Sequence, residues 1–205
     1  MRRLLICLTI LGISSGRSIA KEPAETKASP EAAALESLTK EFEAETKAFS
    51  LELRKAYEQA KKAGKQDSFK FEKEHPSIRF SPRFLAIAKK APETPAGFDA
   101  IRMALNTSGG PDGKAGTWPD TIKLLREHYA TKPGLKRVIA AVAGHHDELG
   151  DQFVRDVIAR NPSREIQAKA YLSLAEAREE AAEFAKLLES NEELRKRIEK
   201  ARGKA

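Results

Sequence analysis

The densest group of side chains capable of chemistry in this chain is His145-His146-Asp147-Glu148, with Asp151 three residues on. Imidazoles and carboxylates are ligands for zinc and partners in general acid–base catalysis. Their spacing argues against a shared ion. Neighbouring residues of a helix project about 100° apart, and the His-Glu-x-x-His pattern that aligns two imidazoles on one helical face is absent. At a helix N-terminus the same residues have a structural use: Asp147 and Glu148 complement the macrodipole, and His146 serves as a cap. His128 and His75 stand alone. We therefore expect no catalytic, cofactor-binding or metal-binding residue here.

Gly109-Gly110-Pro111-Asp112-Gly113-Lys114 has the glycine content of a phosphate loop. A phosphate loop needs Gly-x-x-x-x-Gly-Lys-Ser/Thr after a buried strand. Position 108 is Ser, position 115 is Ala, and no strand-like segment precedes them. A calcium loop would need alternating Asp or Asn ligands and a closing Glu. The segment from Ser108 to Gly116 reads as a flexible surface loop, and Trp118, the only tryptophan, as the anchor that ties it to a core. Asn106-Thr107-Ser108 fits the glycosylation pattern, which matters only in a eukaryotic secretory pathway, whereas Asn161-Pro162-Ser163 is excluded by its proline.

The elements that position these residues read as helices throughout. Ser29-Pro30-Glu31 is a helix start, with a capping hydroxyl, proline in the first turn and an early acid. Leu35, Leu38, Phe42, Phe49, Leu53 and Ala56 keep a helical spacing, interrupted by Glu45, as far as Gly64. Residues 65–78 read as a linker loop. Ser81-Pro82 and Thr94-Pro95 repeat the start signal. A helix from about Pro119 to Ala130 follows, then Leu135 to Ala143 after Pro133-Gly134, then His146 to Arg160 before Asn161-Pro162. The last helix starts at Ser163 and is expected to run unbroken to about Ala201. Its stripe of Ile166, Ala170, Leu174, Ala177, Ala181, Phe184, Leu188, Leu194 and Ile198 should be buried, and its charged end from Glu179 suits a coiled coil. No segment alternates in the manner of a strand. The fold class is all-α: antiparallel helix pairs in an irregular bundle or a short helical-repeat array, with long N- and C-terminal helices. The expected organisation is a signal peptide at 1–20, a flexible leader at 21–29, an amphipathic helix at 30–64, the linker at 65–78, a helical domain at 79–178 and the charged C-terminal helix at 179–205.

The first twenty residues carry an address. Arg2 and Arg3 precede an apolar run from Leu4 to Ile13, and Ser18-Ile19-Ala20 is a small-x-small cleavage site before Lys21-Glu22-Pro23. The run is half the roughly twenty residues that a membrane span needs. Cleavage would remove the one cysteine, Cys7, and with it disulfides, thiolate nucleophiles and Cys-ligated metals. Leu4-Leu5-Ile6 lacks the small residue that precedes a lipidated cysteine. Losing three arginines and no acid lowers the formal charge from +7 to +4. A charge of that size serves solubility more than an anionic partner. The mixed-charge tail around Arg195-Lys196-Arg197 lacks the aromatic-bearing basic face of a nucleic-acid binder.

Two stretches, 81–101 (SPRFLAIAKKAPETPAGFDAI) and 153–175 (FVRDVIARNPSREIQAKAYLSLA), together resemble the helical region found before the thioredoxin-like domain of some secreted bacterial disulfide reductases. The similarity spans roughly residues 75–180 and rests on helix texture and turn motifs. Neither the Cys-x-x-Cys motif nor the βαβ pattern of those reductases is present, so no catalytic residue carries over. The resemblance implies a stand-alone helical module of an envelope protein family, without the redox chemistry.

The expected function is a secreted or periplasmic interaction or scaffold module without catalytic activity. Its partner is another protein or a second copy, met through amphipathic helices, with no nucleic acid and no membrane after signal cleavage. The rival expectation is an accessory to, or remnant of, a thioredoxin-like thiol-disulfide system. A third, a hydrolase, would need His128 or His145 beside a carboxylate in a pocket. Export predicts a mature N-terminus at or near Lys21. N-terminal sequencing of the native protein checks it, and an intact Met1 on a cytoplasmic species refutes it.

Overall fold

The computed structural model describes residues 29–201. The signal segment with Cys7, the leader up to residue 28 and the last four residues lie outside them. The described chain forms α1 (Pro30–Lys62), a 3₁₀ turn (Gln66–Ser68), α2 (Ser77–Lys90), α3 (Pro95–Ser108), α4 (Trp118–His128), α5 (Lys136–Ala143), α6 (Glu148–Arg160), α7 (Arg164–Ser190) and α8 (Glu192–Ala201). It is all-α, built of antiparallel helix pairs, of which α2–α3 and α6–α7 pack most extensively.

Several helix starts form as their residues dictate. The Ser29 hydroxyl accepts from the Ala32 amide at 3.2 Å, Thr94 Oγ1 from Gly97 at 3.0 Å, and Ser163 Oγ from Ile166 at 3.4 Å. Each satisfies an amide that the first turn leaves without a partner.

Helix α2 departs from expectation. It opens at Ser77, four residues before Ser81-Pro82, so Pro82 sits inside the helix. The start is held by His75, whose Nδ1 accepts from the Ser77 amide at 3.2 Å. Ser81 is buried instead of capping; its hydroxyl donates to the Ala104 carbonyl at 3.1 Å and meets Thr117 Oγ1 at 2.6 Å. An interior proline removes a helical hydrogen bond. The extra turn offsets that cost by placing Phe80 under α1. Phe42 packs against Phe80 and Phe84 at ring distances of 5.3 and 5.8 Å, and both of these are fully buried. Arg83 closes the α1–α2 seam with two bonds to Glu41, at 2.7 and 2.6 Å. Glu45, the interruption in the α1 stripe, pairs with Arg79.

The expected linker at 65–78 is irregular apart from the 3₁₀ turn and the first residues of α2, and its rings fold back on α1 as a strap. Phe71 and His75 lie against Phe49 at 5.2 and 4.9 Å, and Phe69 against Tyr57 at 5.5 Å. These rings pack against the second half of α1.

The main core gathers Phe80, Phe84, Ile101, Trp118, Ile139 and Phe153, all fully buried. Polar ties fix the turns. Asn161, where α6 ends, donates from Nδ2 to the carbonyls of Ala130 and Lys132 at 2.9 and 3.0 Å and accepts from the Ser163 amide at 3.0 Å. It thereby locks the α4–α5 turn to the start of α7.

The C-terminal helix corrects two expectations. It breaks at Asn191, which is extended (φ −128°, ψ 90°), and Asn191 Oδ1 accepts from the Leu194 amide at 2.9 Å to restart the helix as α8. An asparagine side chain competes with the helical backbone in this manner. The stripe is also not buried throughout. Ile166, Ala170, Ser173 and Ala177 are buried against the body, but Phe184 is 46% exposed. The body ends before α7 does, so nothing in the chain covers that residue fully.

Two substitutions test this core. Phe84→Ala is expected to cost about 3–5 kcal/mol. Asn161→Ala, by leaving the Ala130 carbonyl buried without its donor, should cost about 1–3 kcal/mol. Urea denaturation of each variant gives the comparison.

Candidate functional site

The glycine loop, Trp118 and the histidine cluster converge at one place. Gly109 and Gly110 take φ of +74° and +77°, which ends α3 and turns the chain toward the α5–α6 connection. A Cβ on Gly110 would meet the His145 ring at 2.5 Å, so the loop seats directly on that imidazole. The His145 ring also packs edge-to-face with Trp118, with centroids 4.5 Å apart. The Trp118 indole is 1% exposed, and its Nε1 donates to Asp147 Oδ2 at 3.0 Å. Trp118 is thus the expected anchor. At the start of the loop the Ser108 hydroxyl accepts from the Gly110 amide at 3.2 Å.

Asp147, not His146, caps α6. Its side chain accepts from the Leu149 amide at 3.2 Å and the Gly150 amide at 3.3 Å. A carboxylate accepts two amides at once and favours the positive end of the helix, which an imidazole at position 146 does not match. His146 takes φ of +53°, the one positive value at a non-glycine residue among those described, and turns the chain into the cap. The two imidazoles therefore have separate structural settings.

Next to this knot an open groove of about 880 Å³ runs between the loop and α7. Asp112 and His146 line one side, and Glu180, Glu183, Phe184 and Leu187 the other. Leu187 is 48% exposed. Among the described residues no three His, Cys, Asp or Glu side chains converge as metal ligands. The lining instead mixes the apolar Ala181, Phe184 and Leu187 with the carboxylates of Asp112, Glu180 and Glu183.

The remaining histidines lie elsewhere. His75 starts α2. His128 Nδ1 lies 2.8 Å from Glu93 Oε1, and Lys132 takes Glu93 Oε2 at 3.0 Å. The His128 and Lys132 bonds hold the Glu93 carboxyl below the usual carboxylate range. Beside them the Tyr129 hydroxyl donates to the Pro92 carbonyl, and burial, reinforced by the Glu93 charge, pushes the phenol up to about 12. This group clasps the end of α4 to the α2–α3 turn. Asn106-Thr107-Ser108 lies in the last turn of α3, with Thr107 buried and its hydroxyl bonded to the Met103 carbonyl at 2.7 Å.

Sequence reasoning named the histidines, the loop and Trp118, and it named Phe184 as a core residue. It missed Glu180 and Glu183 as the rim of a groove. The signal available was the run of residues at 180, 184, 187, 191, 194 and 198, whose alternating steps of four and three continue those at 166, 170, 173 and 177.

Asp147→Ala removes both a cap and the partner of a buried indole. The cap alone is worth about 1 kcal/mol, and an unpaired buried donor a further 1–3 kcal/mol or so. The variant should melt earlier with a shifted emission from Trp118, whereas His146→Gly should not lose stability because glycine relieves the positive φ. Thermal melts followed by tryptophan fluorescence check both. No protein-family model matches this chain, and neither does any curated protein or solved structure.

Proposed function

We propose that this chain is an interaction module of the cell envelope or exterior, secreted or periplasmic, that binds a protein partner through α7 and α8 and has no catalytic role. One observation carries the proposal. The line of α7 that buries Ile166, Ala170, Ser173 and Ala177 continues past the body at the same spacing through Glu180 to Phe184 and Leu187, all exposed. Alternating steps of four and three residues are those of a helix–helix seam. Large apolar side chains left in water along such a line mark a contact surface. No described helix is long and apolar enough to cross a membrane, so a membrane-spanning use of this stripe has no support.

The measurement is cross-linking and capture with tagged chain from the envelope fraction, compared with a Phe184→Asp/Leu187→Asp variant. Wild type should retain a protein that the variant loses. Equal recovery by both would remove α7 as the contact. Retention of a Cys-x-x-Cys protein would favour the accessory role implied by the resemblance of residues 81–101 and 153–175.

A further inference from the structure

We infer that the partner of this surface is a second copy of the chain, whose α8 lies in the groove beside α7 while its own groove receives the first copy's α8. The inference rests on the proposed use of α7 and α8 as an interaction face, and it names the occupant.

Both halves of a complementary contact are present in one chain. Between Arg178 and Ser190 four carboxylates, Glu179, Glu180, Glu183 and Glu189, stand against two cations, Arg178 and Lys186. Glu180, Glu183 and Asp112 rim the groove, and none of the three has a cation within ion-pair distance among the described residues. In α8 the balance reverses, with Arg195, Lys196, Arg197 and Lys200 against Glu192, Glu193 and Glu199. Leu194 and Ile198 are one turn apart and form the apolar line of α8, flanked by Arg195 and Arg197. Lys196 is held by Glu192 at 2.8 Å and Arg195 lies 3.8 Å from Glu199, whereas Arg197 makes no ion pair among the described residues. An apolar line flanked by arginines, of which Arg197 is unpaired, thus matches a groove that sets Ala181, Phe184 and Leu187 among the unpaired carboxylates of Asp112, Glu180 and Glu183.

The arm cannot fill its own groove. Asn191 alone separates α7 from α8. Folding one helix back along another takes a connection of about two to five residues. Leu187 lies one turn before Asn191, so the chain's own α8 leads away from the groove that Leu187 lines. Among the described elements, the only one against which α8 packs appreciably is its neighbour α7. The Asn191 cap keeps the arm helical where it leaves the body.

Reciprocal docking uses each contact twice, as a closed two-fold dimer requires. Each arm is ten residues, about 15 Å long. Two such arms make a small interface, near the roughly 1,200 Å² lower bound for stable pairs. The dimer should therefore dissociate on dilution, and more readily at high ionic strength because charge pairs at its rim are screened.

Sedimentation of the purified full chain, with helicity followed by circular dichroism, tests this. Wild type should show a monomer–dimer equilibrium weakened by salt. Glu180→Lys/Glu183→Lys and Arg195→Glu/Arg197→Glu should each be monomeric with the body's helicity retained, since all four positions are exposed and the Arg195–Glu199 pair lost in the second lies within α8. Mixing the two variants should restore the dimer, because both dockings then pair opposite charges. Ile198→Asp, which leaves every rim charge in place, should also be monomeric. A wild type that is monomeric up to high micromolar concentration overturns the inference. So does a dimer that neither charge variant weakens, or a variant mixture that stays monomeric. A monomeric wild type that still loses its captured protein on Phe184→Asp/Leu187→Asp would overturn self-pairing alone and leave the interaction face intact.

Discussion

The close approach of α7 to α5 and α6 through Ala170, Ser173 and Ala177 is the contact on which the exposed surface depends. Small side chains let the helix axes come near, and large residues can then fill only the flanks. Ser173 shows the cost: its hydroxyl is buried without a partner. Gly150 adds to the closeness on the other side of the joint, where a Cβ would meet Val142 Cγ1 at 3.0 Å. Because the first half of α7 is held this way, the direction of its second half is set, and Phe184 and Leu187 emerge beside the His146–Asp147 turn.

Polar ties, rather than apolar packing, register the rest. Trp118 to Asp147 couples the start of α4 to the start of α6. Asn161 couples the end of α4 to the start of α7, and Ser81 couples α2 to α3 and Thr117. Apolar contact is non-directional and would tolerate sliding of one helix on another. A buried donor with one correctly placed acceptor does not tolerate it, since leaving it unpaired is costly. The one indole, one asparagine and one serine that sit at helix junctions therefore do more to specify the arrangement than their number suggests. The groove inherits that arrangement, since the Trp118–Asp147 bond fixes the wall formed by the loop and the α6 cap, and the packing of α7 on α6 sets the other.

Much of this was legible in residue order. Ser29-Pro30, Thr94-Pro95 and Ser163 each place a hydroxyl where a first turn lacks acceptors, and the helices begin there. Trp118 after a glycine loop reads as an anchor and is one. Ser81-Pro82 carries the same signal and misleads, because Phe80 and Phe84 gain more by lying on one helix under Phe42 than the proline loses inside it. The segment 65–78 looks like a linker because its charges outnumber its rings. Phe69, Phe71 and His75 nonetheless find Tyr57 and Phe49, which are distant in the chain until α1 and the strap fold together.

Local order determined the all-α class, most helix boundaries and the apolar lines along α1 and α7, because caps, prolines and helical periodicity act within a few residues. Only the tertiary structure decided which part of each line is covered. Ala177 and Phe184 lie on the same stripe, seven residues apart, yet one is buried and the other is in water. The difference is where α5 and α6 end, a matter of helix length and packing angle in other parts of the chain. The groove between Asp112 and Glu183 follows from the same cause, since these distant positions share a surface only after the Trp118 knot has brought the loop to the α6 cap and α7 has packed on α6.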